Sequence, residues 1–182
     1  MMRAYPDNVA ASGRVLGDLA PASEMAALRD VERAAAAGLL KIVTSRESWR
    51  EQERTKDAVK RARLEAARGE VSAVANDHVL LGSSSVFGPY GTIAVNPMLS
   101  DIVDEALFAD LKMLGLGDAD ARHLMYAVAN ACDYFVTLDH DFLERRAALQ
   151  ARCPSIRILR PSELVAELRS DPNWGQLTPI RK

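Results

Sequence analysis

The residues best suited to chemistry stand between Asp118 and Phe142, in DADARHLMYAVANACDYFVTLDHDF, with acids at both ends of a helix-then-strand unit. Asp120 shares a helical stripe with Leu124, Val128 and Ala131, so its carboxylate is expected to face inward. Asp139 and Asp141 follow Tyr134 to Leu138, a short apolar run of the kind a buried parallel strand shows. The C-terminal end of such a strand is where open α/β sheets bind ligands. Carboxylates gathered there repel one another by roughly 4 kcal/mol per pair at about 4 Å and an effective dielectric near 20. A divalent cation removes that conflict. Hard carboxylate oxygens suit Mg²⁺ or Mn²⁺, and the absence of a histidine–cysteine cluster disfavours zinc. Such an ion can organise a phosphate, lower the pKa of an attacking water and stabilise a leaving oxygen.

Neighbouring residues qualify this picture. Asp118 is expected to be the N-cap of the helix, satisfying backbone N–H groups. Thr137 precedes Asp139 by two positions, so strand alternation puts both on one side, where its hydroxyl can bond an acid or a bound water. His123 follows Asp120 by three residues, but no serine or cysteine motif completes a nucleophilic triad, and a role in positioning the helix is expected. His140 reads as a solvated neighbour of the acids. Taken singly, each acid has a structural use: Asp139 and Asp141 can start a helix as well as bind an ion.

The elements that must hold these residues alternate along the chain. Met2 to Tyr5 is a weak strand candidate ending in Pro6 and Asp7. Pro21 to Ala37 reads as a helix stopped by Gly38, and Leu39 to Val43 as a strand. Ser45 is expected to cap one long helix to about Arg68. Ser100 opens a helix over Asp101 to Leu114; the Asp118 helix, ending near Asp133, and the Tyr134 strand follow. A helix from Asp141 to Gln150, a strand from Ile156 to Leu159 and a short helix after Pro161 complete the order. Strands separated by helices imply a three-layer α/β/α sandwich with a mostly parallel central sheet. The stretch from Val71 to Pro97, with the serine run Ser83 to Ser85 and several glycines, breaks the rhythm and reads as a β-hairpin or flap insertion. Residues 1–170 are expected to form one domain, and 171–182 a C-terminal tail.

Composition narrows the class. A chain of 182 residues, 48% hydrophobic and 26% charged, is long enough for one globular core. A net charge of -2 argues against coating nucleic acid by bulk charge, though not against a local basic surface. Arg46 to Arg68 carries eight basic residues against five acids, and Arg50, Arg54, Lys60 and Arg61 are the candidate phosphate-binding set. A solvated helix laced by i,i+4 pairs accounts for the same charges. Trp49 and Tyr90 are candidates for stacking on bases, with burial as the alternative. Two cysteines suggest no disulfide framework, and no apolar run approaches the ~18 residues of a membrane span. No membrane partner and a cytoplasmic location are therefore expected.

DARHLMYAVANACDYFVTLDHDF resembles the D-A-x-H-x-x-x-A...D-x-x-V-T-x-D-x-D-F pattern of the PIN-domain family of metal-dependent nucleases, and IRILRPSELVAEL is similar to that family's last strand and helix. The resemblance implies that Asp120 and Asp139 are two of four recurrent acids, with Asp141 an accessory ligand. It further implies Asp7, in AYPDNV, as the acid ending the first strand with Asn8 in support, and Glu51 as the glutamate after the second. Spacing favours Glu51 over its neighbours, since it shares a small-residue stripe with Thr55, Val59, Ala62 and Ala66. Glu53 instead aligns with Asp57, Lys60 and Leu64, and Glu47 suits the helix dipole.

The resemblance implies a Mg²⁺- or Mn²⁺-dependent endoribonuclease, with Asp7, Glu51, Asp120 and Asp139 catalytic and Asp7, Asp120, Asp139 and Asp141 holding metal. It also implies RNA as substrate, an antitoxin protein as partner in a toxin–antitoxin pair, and a homodimer. A noncatalytic PIN-like module binding RNA or protein is the alternative, motivated by Asp7 and Asn8 being adjacent and by Pro6, which cannot donate a ladder bond. A phosphotransfer domain is a third reading, but the expected DxDx[TV] motif is missing early in the chain.

Overall fold

The computed structural model describes residues 1–17, 21–67, 72–73, 79–81, 85–88, 91–94, 98–100 and 102–176. The chain opens with β1 (Met2–Pro6), α1 (Asn8–Leu16), α2 (Ala22–Ala36), β2 (Leu40–Thr44), α3 (Arg46–Glu53) and α4 (Ala58–Ala67). Short strands follow: β3 (Ser72–Ala73), β4 (Val79–Leu81), β5 (Ser85–Gly88), β6 (Gly91–Ala94) and β7 (Met98–Ser100). The chain continues through α5 (Glu105–Met113), α6 (Asp118–Ala129), β8 (Tyr134–Val136), α7 (His140–Glu144), α8 (Arg146–Arg152), β9 (Arg157–Leu159) and α9 (Pro161–Leu168).

Five strands pair in the order β3-β2-β1-β8-β9, every pairing parallel. Alternation along β1, β8 and β9 sends successive residues to opposite faces. Tyr5 lies beside Phe135 and Phe135 beside Ile158, with the Tyr5 and Phe135 rings stacked at 5.8 Å. This row packs under Leu107 and Leu111 of α5, Leu124 and Met125 of α6, Phe142 of α7 and Leu149 of α8. Ala4, Val136 and Leu159 face the other way, onto Ala27 and Val31 of α2 and Leu164 and Leu168 of α9. With both faces covered, β8 reads as a short apolar run; the three-layer α/β/α fold was legible from the alternation of strands and helices. Trp174, expected in the tail, packs against the second cluster.

Pro6 is accommodated because its missing donor falls beyond the β1–β2 register, which runs from Met2↔Leu40 to Ala4↔Ile42. The β8 side of the ladder continues one residue further, Asp7 N–H donating to Val136 O at 2.9 Å.

Several elements differ from the sequence reading. Helix α1 was not expected; Asp7 is its N-cap and Gly17, at φ 72°, its stop. The single helix from Arg46 to Arg68 is two, because Asp57 turns its carboxylate onto Val59 N (2.9 Å) and Lys60 N (3.0 Å) and starts α4 afresh. The stripe from Glu51 through Val59 is thereby broken, leaving Val59 exposed. Helix α5 starts with Asp104, whose side chain accepts from Leu107 N, and Ser100 belongs to β7. The Asp118 helix ends at Ala129, short of Asp133, and the strand after it at Val136, short of Leu138. The expected Asp141 to Gln150 helix is divided into α7 and α8 at Arg145. In the 71–97 insertion β5 pairs antiparallel with β6, and β4 pairs antiparallel with β7, which lies just beyond it. Gly82, Pro89, Tyr90 and Arg68 lie outside the described residues.

Candidate functional site

Strand order reverses at β1, with β2 on one side and β8 on the other. This is a topological switch point, and the crevice beyond the C-terminal ends of β1 and β8 is its binding position. Asp7 is the first residue past β1 and Thr137 the first past β8. The Thr137 hydroxyl, fully buried, donates to Asp7 Oδ2 and accepts from Asp139 N at 2.9 Å. One side chain thus ties the two strand ends and their acids together.

Asp7 is 3% exposed. Its Oδ1 accepts from Ala10 N at 2.7 Å as the cap of α1. Burial pushes its carboxyl up to about 6; the Ala10 N–H, the Thr137 hydroxyl and nearby His123 pull the other way, and Asp139 adds to the rise. Asp139 caps α7, accepting from Asp141 N at 2.8 Å. Asp120, in the first turn of α6, is half-buried, and its carboxyl is also raised, by burial first and then by Asp139, Glu51 and Asp141, with His123 opposing. The acids therefore share one electrostatic environment.

Asp118 is not the helix cap. Gly117 holds that position, and Asp118 begins the helix with its carboxylate on Lys112 Nζ at 2.5 Å. A Cβ at Gly117 would stand 3.1 Å from Asp120 Oδ2, so the cap residue is bare where the Asp120 carboxylate needs room. Ser45 occupies the N-cap of α3 but makes no side-chain cap bond; its hydroxyl meets Tyr5 Oη at 2.5 Å instead.

Glu51 reaches the site from α3, its Oε2 3.0 Å from His123 Nε2. His123 is 1% exposed and its Nδ1 lies 2.7 Å from Tyr5 Oη. Ser45, Tyr5, His123 and Glu51 thus form one hydrogen-bonded chain from the core to the acids. Sequence reasoning found neither Tyr5 nor Ser45 as site residues; both sit beside apolar strand residues, and nothing in their spacing points to His123. Glu47, assigned to the helix dipole, is more buried than Glu51, and its carboxylate pairs with Arg50 at 3.2 Å.

The remaining candidates are dispersed. Asn8 accepts from the Ser12 hydroxyl at 3.1 Å. Asp141 is exposed and shares its carboxylate with Arg145 at 3.0 Å, while His140 is solvated beside Glu144. Arg50 is held by Glu47 and Arg61 bonds Thr55 O at 3.3 Å, whereas Arg54 and Lys60 are exposed on either side of the α3–α4 break. Trp49 is half-buried in a cleft with Arg14, Gln52 and Leu64.

The Asp139 charge adds to the rise of both the Asp7 and the Asp120 carboxyls, and hard carboxylate oxygens gathered in this way are a donor set of the kind a divalent cation neutralises. Asp7, Asp120 and Asp139 fit that chemistry. Among the described residues, however, no three His, Cys, Asp or Glu side chains are gathered into a formed metal-binding group. No described helix is long and apolar enough to cross a membrane. No family model, no curated protein and no solved structure matches this chain.

Proposed function

We propose that the protein is a metal-dependent endoribonuclease that hydrolyses RNA phosphodiester bonds in the acidic crevice beyond β1 and β8. The observation that carries this reading is the placement of Asp7, Asp120 and Asp139 at the switch point, where burial first and the Asp139 charge after it raise the Asp7 and Asp120 carboxyls. Asp7, Asp120 and Asp139 would hold Mg²⁺ or Mn²⁺, with Asp141 at the rim. The bound ion supplies charge neutralisation at the scissile phosphate and a lowered pKa for water. Thr137 keeps Asp7 and Asp139 in register, and Glu51 offers a carboxylate to orient the attacking water. Arg54 and Lys60 supply exposed positive charge for the phosphate backbone. The resemblance to PIN nucleases supports RNA as substrate and a toxin role restrained by an antitoxin partner.

The test is cleavage of a mixed RNA panel by purified protein with Mn²⁺, Mg²⁺ or EDTA, alongside Asp120→Asn and Asp139→Asn proteins of verified fold. Metal-dependent cutting lost in both variants supports the reading. Cutting that survives EDTA or both substitutions sinks it.

A second reading, a noncatalytic RNA- or protein-binding module, is favoured by one feature: both Asp7 oxygens are already engaged, by Ala10 and by Thr137. Titration calorimetry with Mn²⁺ discriminates, since this reading expects neither metal binding nor cleavage.

A further inference from the structure

We infer that His123 is a positioning residue that holds the Glu51 carboxylate at the acidic crevice, through one ring tautomer set by Tyr5 and Ser45. This role rests on the proposed nuclease reading only for its consequence in catalysis; the positioning itself is a matter of geometry.

A carboxylate can only accept, so the 3.0 Å contact with Glu51 Oε2 places a proton on His123 Nε2. In the neutral ring Nδ1 is then the acceptor, and the Tyr5 hydroxyl 2.7 Å away must donate to it. The Tyr5 oxygen in turn accepts from the Ser45 hydroxyl at 2.5 Å. Each group has one role, and all four roles agree. Tyr5, Ser45 and His123 are at most 1% exposed, so water does not compete for these bonds. The anchor is rigid: the Tyr5 ring is stacked on Phe135 in the sheet, 5.8 Å between centroids.

The chain ends on a single oxygen of Glu51. Its other oxygen, Oε1, accepts no hydrogen bond from any described residue, and Glu51 lies close enough to Asp120 to raise that carboxyl. Glu51 is therefore held by one oxygen while offering the other to the crevice. Glu47 is held by Arg50 and Glu53 is exposed, so this contact, and not helix spacing, singles out Glu51. Outer residues that orient a site carboxylate in this way commonly contribute 10- to 100-fold to activity or metal affinity.

The test uses His123→Gln and His123→Asn. The Gln amide reaches the Nε2 position and retains a donor to Glu51, whereas the Asn amide reaches only the Nδ1 position. Asn is expected to lower kcat by about 10- to 100-fold with KM for RNA little changed, and Gln to recover most of that loss. Equal activity of the two variants, both folded by circular dichroism, overturns the inference. Nitrogen NMR of wild-type protein with ¹⁵N-labelled histidine reads the tautomer directly. A proton on Nε2, moved or exchange-broadened in Tyr5→Phe and Glu51→Ala, supports the assignment, and a neutral ring protonated on Nδ1 overturns it. That readout stands even if the wild-type protein cuts no RNA, so failure of the nuclease reading and failure of the positioning role are separable.

Discussion

The Asp7→Asn variant tests the electrostatics of the site independently of any substrate. Burial raises the Asp7 carboxyl from an ordinary 3.8 to about 6. A raised folded-state pKa means that the native state binds the proton more tightly than the unfolded chain. The stabilisation is complete below about 3.8, and it is lost as pH rises through about 6. At about 1.4 kcal/mol per pH unit, the loss is about 2–3 kcal/mol between pH 4 and pH 8. Asparagine keeps an oxygen for Ala10 N–H and is itself a good cap, while carrying no charge to bury. Urea unfolding of both proteins in EDTA at pH 4 and pH 8 isolates this group, because other titrations cancel in the difference. The variant is expected to gain about 2–3 kcal/mol on the wild type between the two pH values, or roughly 4–12 °C in Tm. A difference that is the same at both pH values rules out an Asp7 that binds its proton more tightly in the folded state. Adding Mn²⁺ at pH 8 is expected to offset most of that gain: at 100 times the Kd it stabilises wild type by about 2.7 kcal/mol and leaves the variant unchanged.

Three further outcomes follow from local geometry. Gly117→Ala puts a methyl group 3.1 Å from Asp120 Oδ2 at a φ of -64° that alanine accepts; cleavage is expected to fall about tenfold while urea unfolding changes by less than about 0.5 kcal/mol. Ala131→Gly is expected to stabilise the protein by about 0.5–1 kcal/mol in the same assay, because Ala131 sits at φ 49° after α6, where Ala131 N bonds Val128 O and Cys132 N bonds Ala127 O in the arrangement glycine prefers. Glu24→Ala should cost about 2–3 kcal/mol, since the buried Glu24 carboxylate accepts from both Ser162 N (2.9 Å) and Ser162 Oγ (2.7 Å) and ties α2 to the start of α9; a loss under about 1 kcal/mol would show that water replaces it.

What could be read from the sequence was local. The apolar run around Phe135 read as a buried strand because burial on both faces leaves no polar alternation, and strands separated by helices announced a parallel sheet. Asp139 was legible as a strand-end acid and Asp120 as an inward one, each from its own element. Helix α1 and the break at Asp57 were missed because each depends on one carboxylate choosing nearby N–H groups as a cap, and aspartate in either segment could as well have faced solvent. The site itself needed the packed fold. Asp7 meets Thr137 across 130 residues of chain, Tyr5 meets His123 across 118 and Glu51 meets His123 across 72. Those meetings follow from the β1–β8 register and from α6 packing over Tyr5, neither of which leaves a periodic signal in sequence. The order of residues along the chain set which acids exist and the class of sheet that carries them; the packing of helices on that sheet chose which glutamate, which serine and which histidine stand beside them.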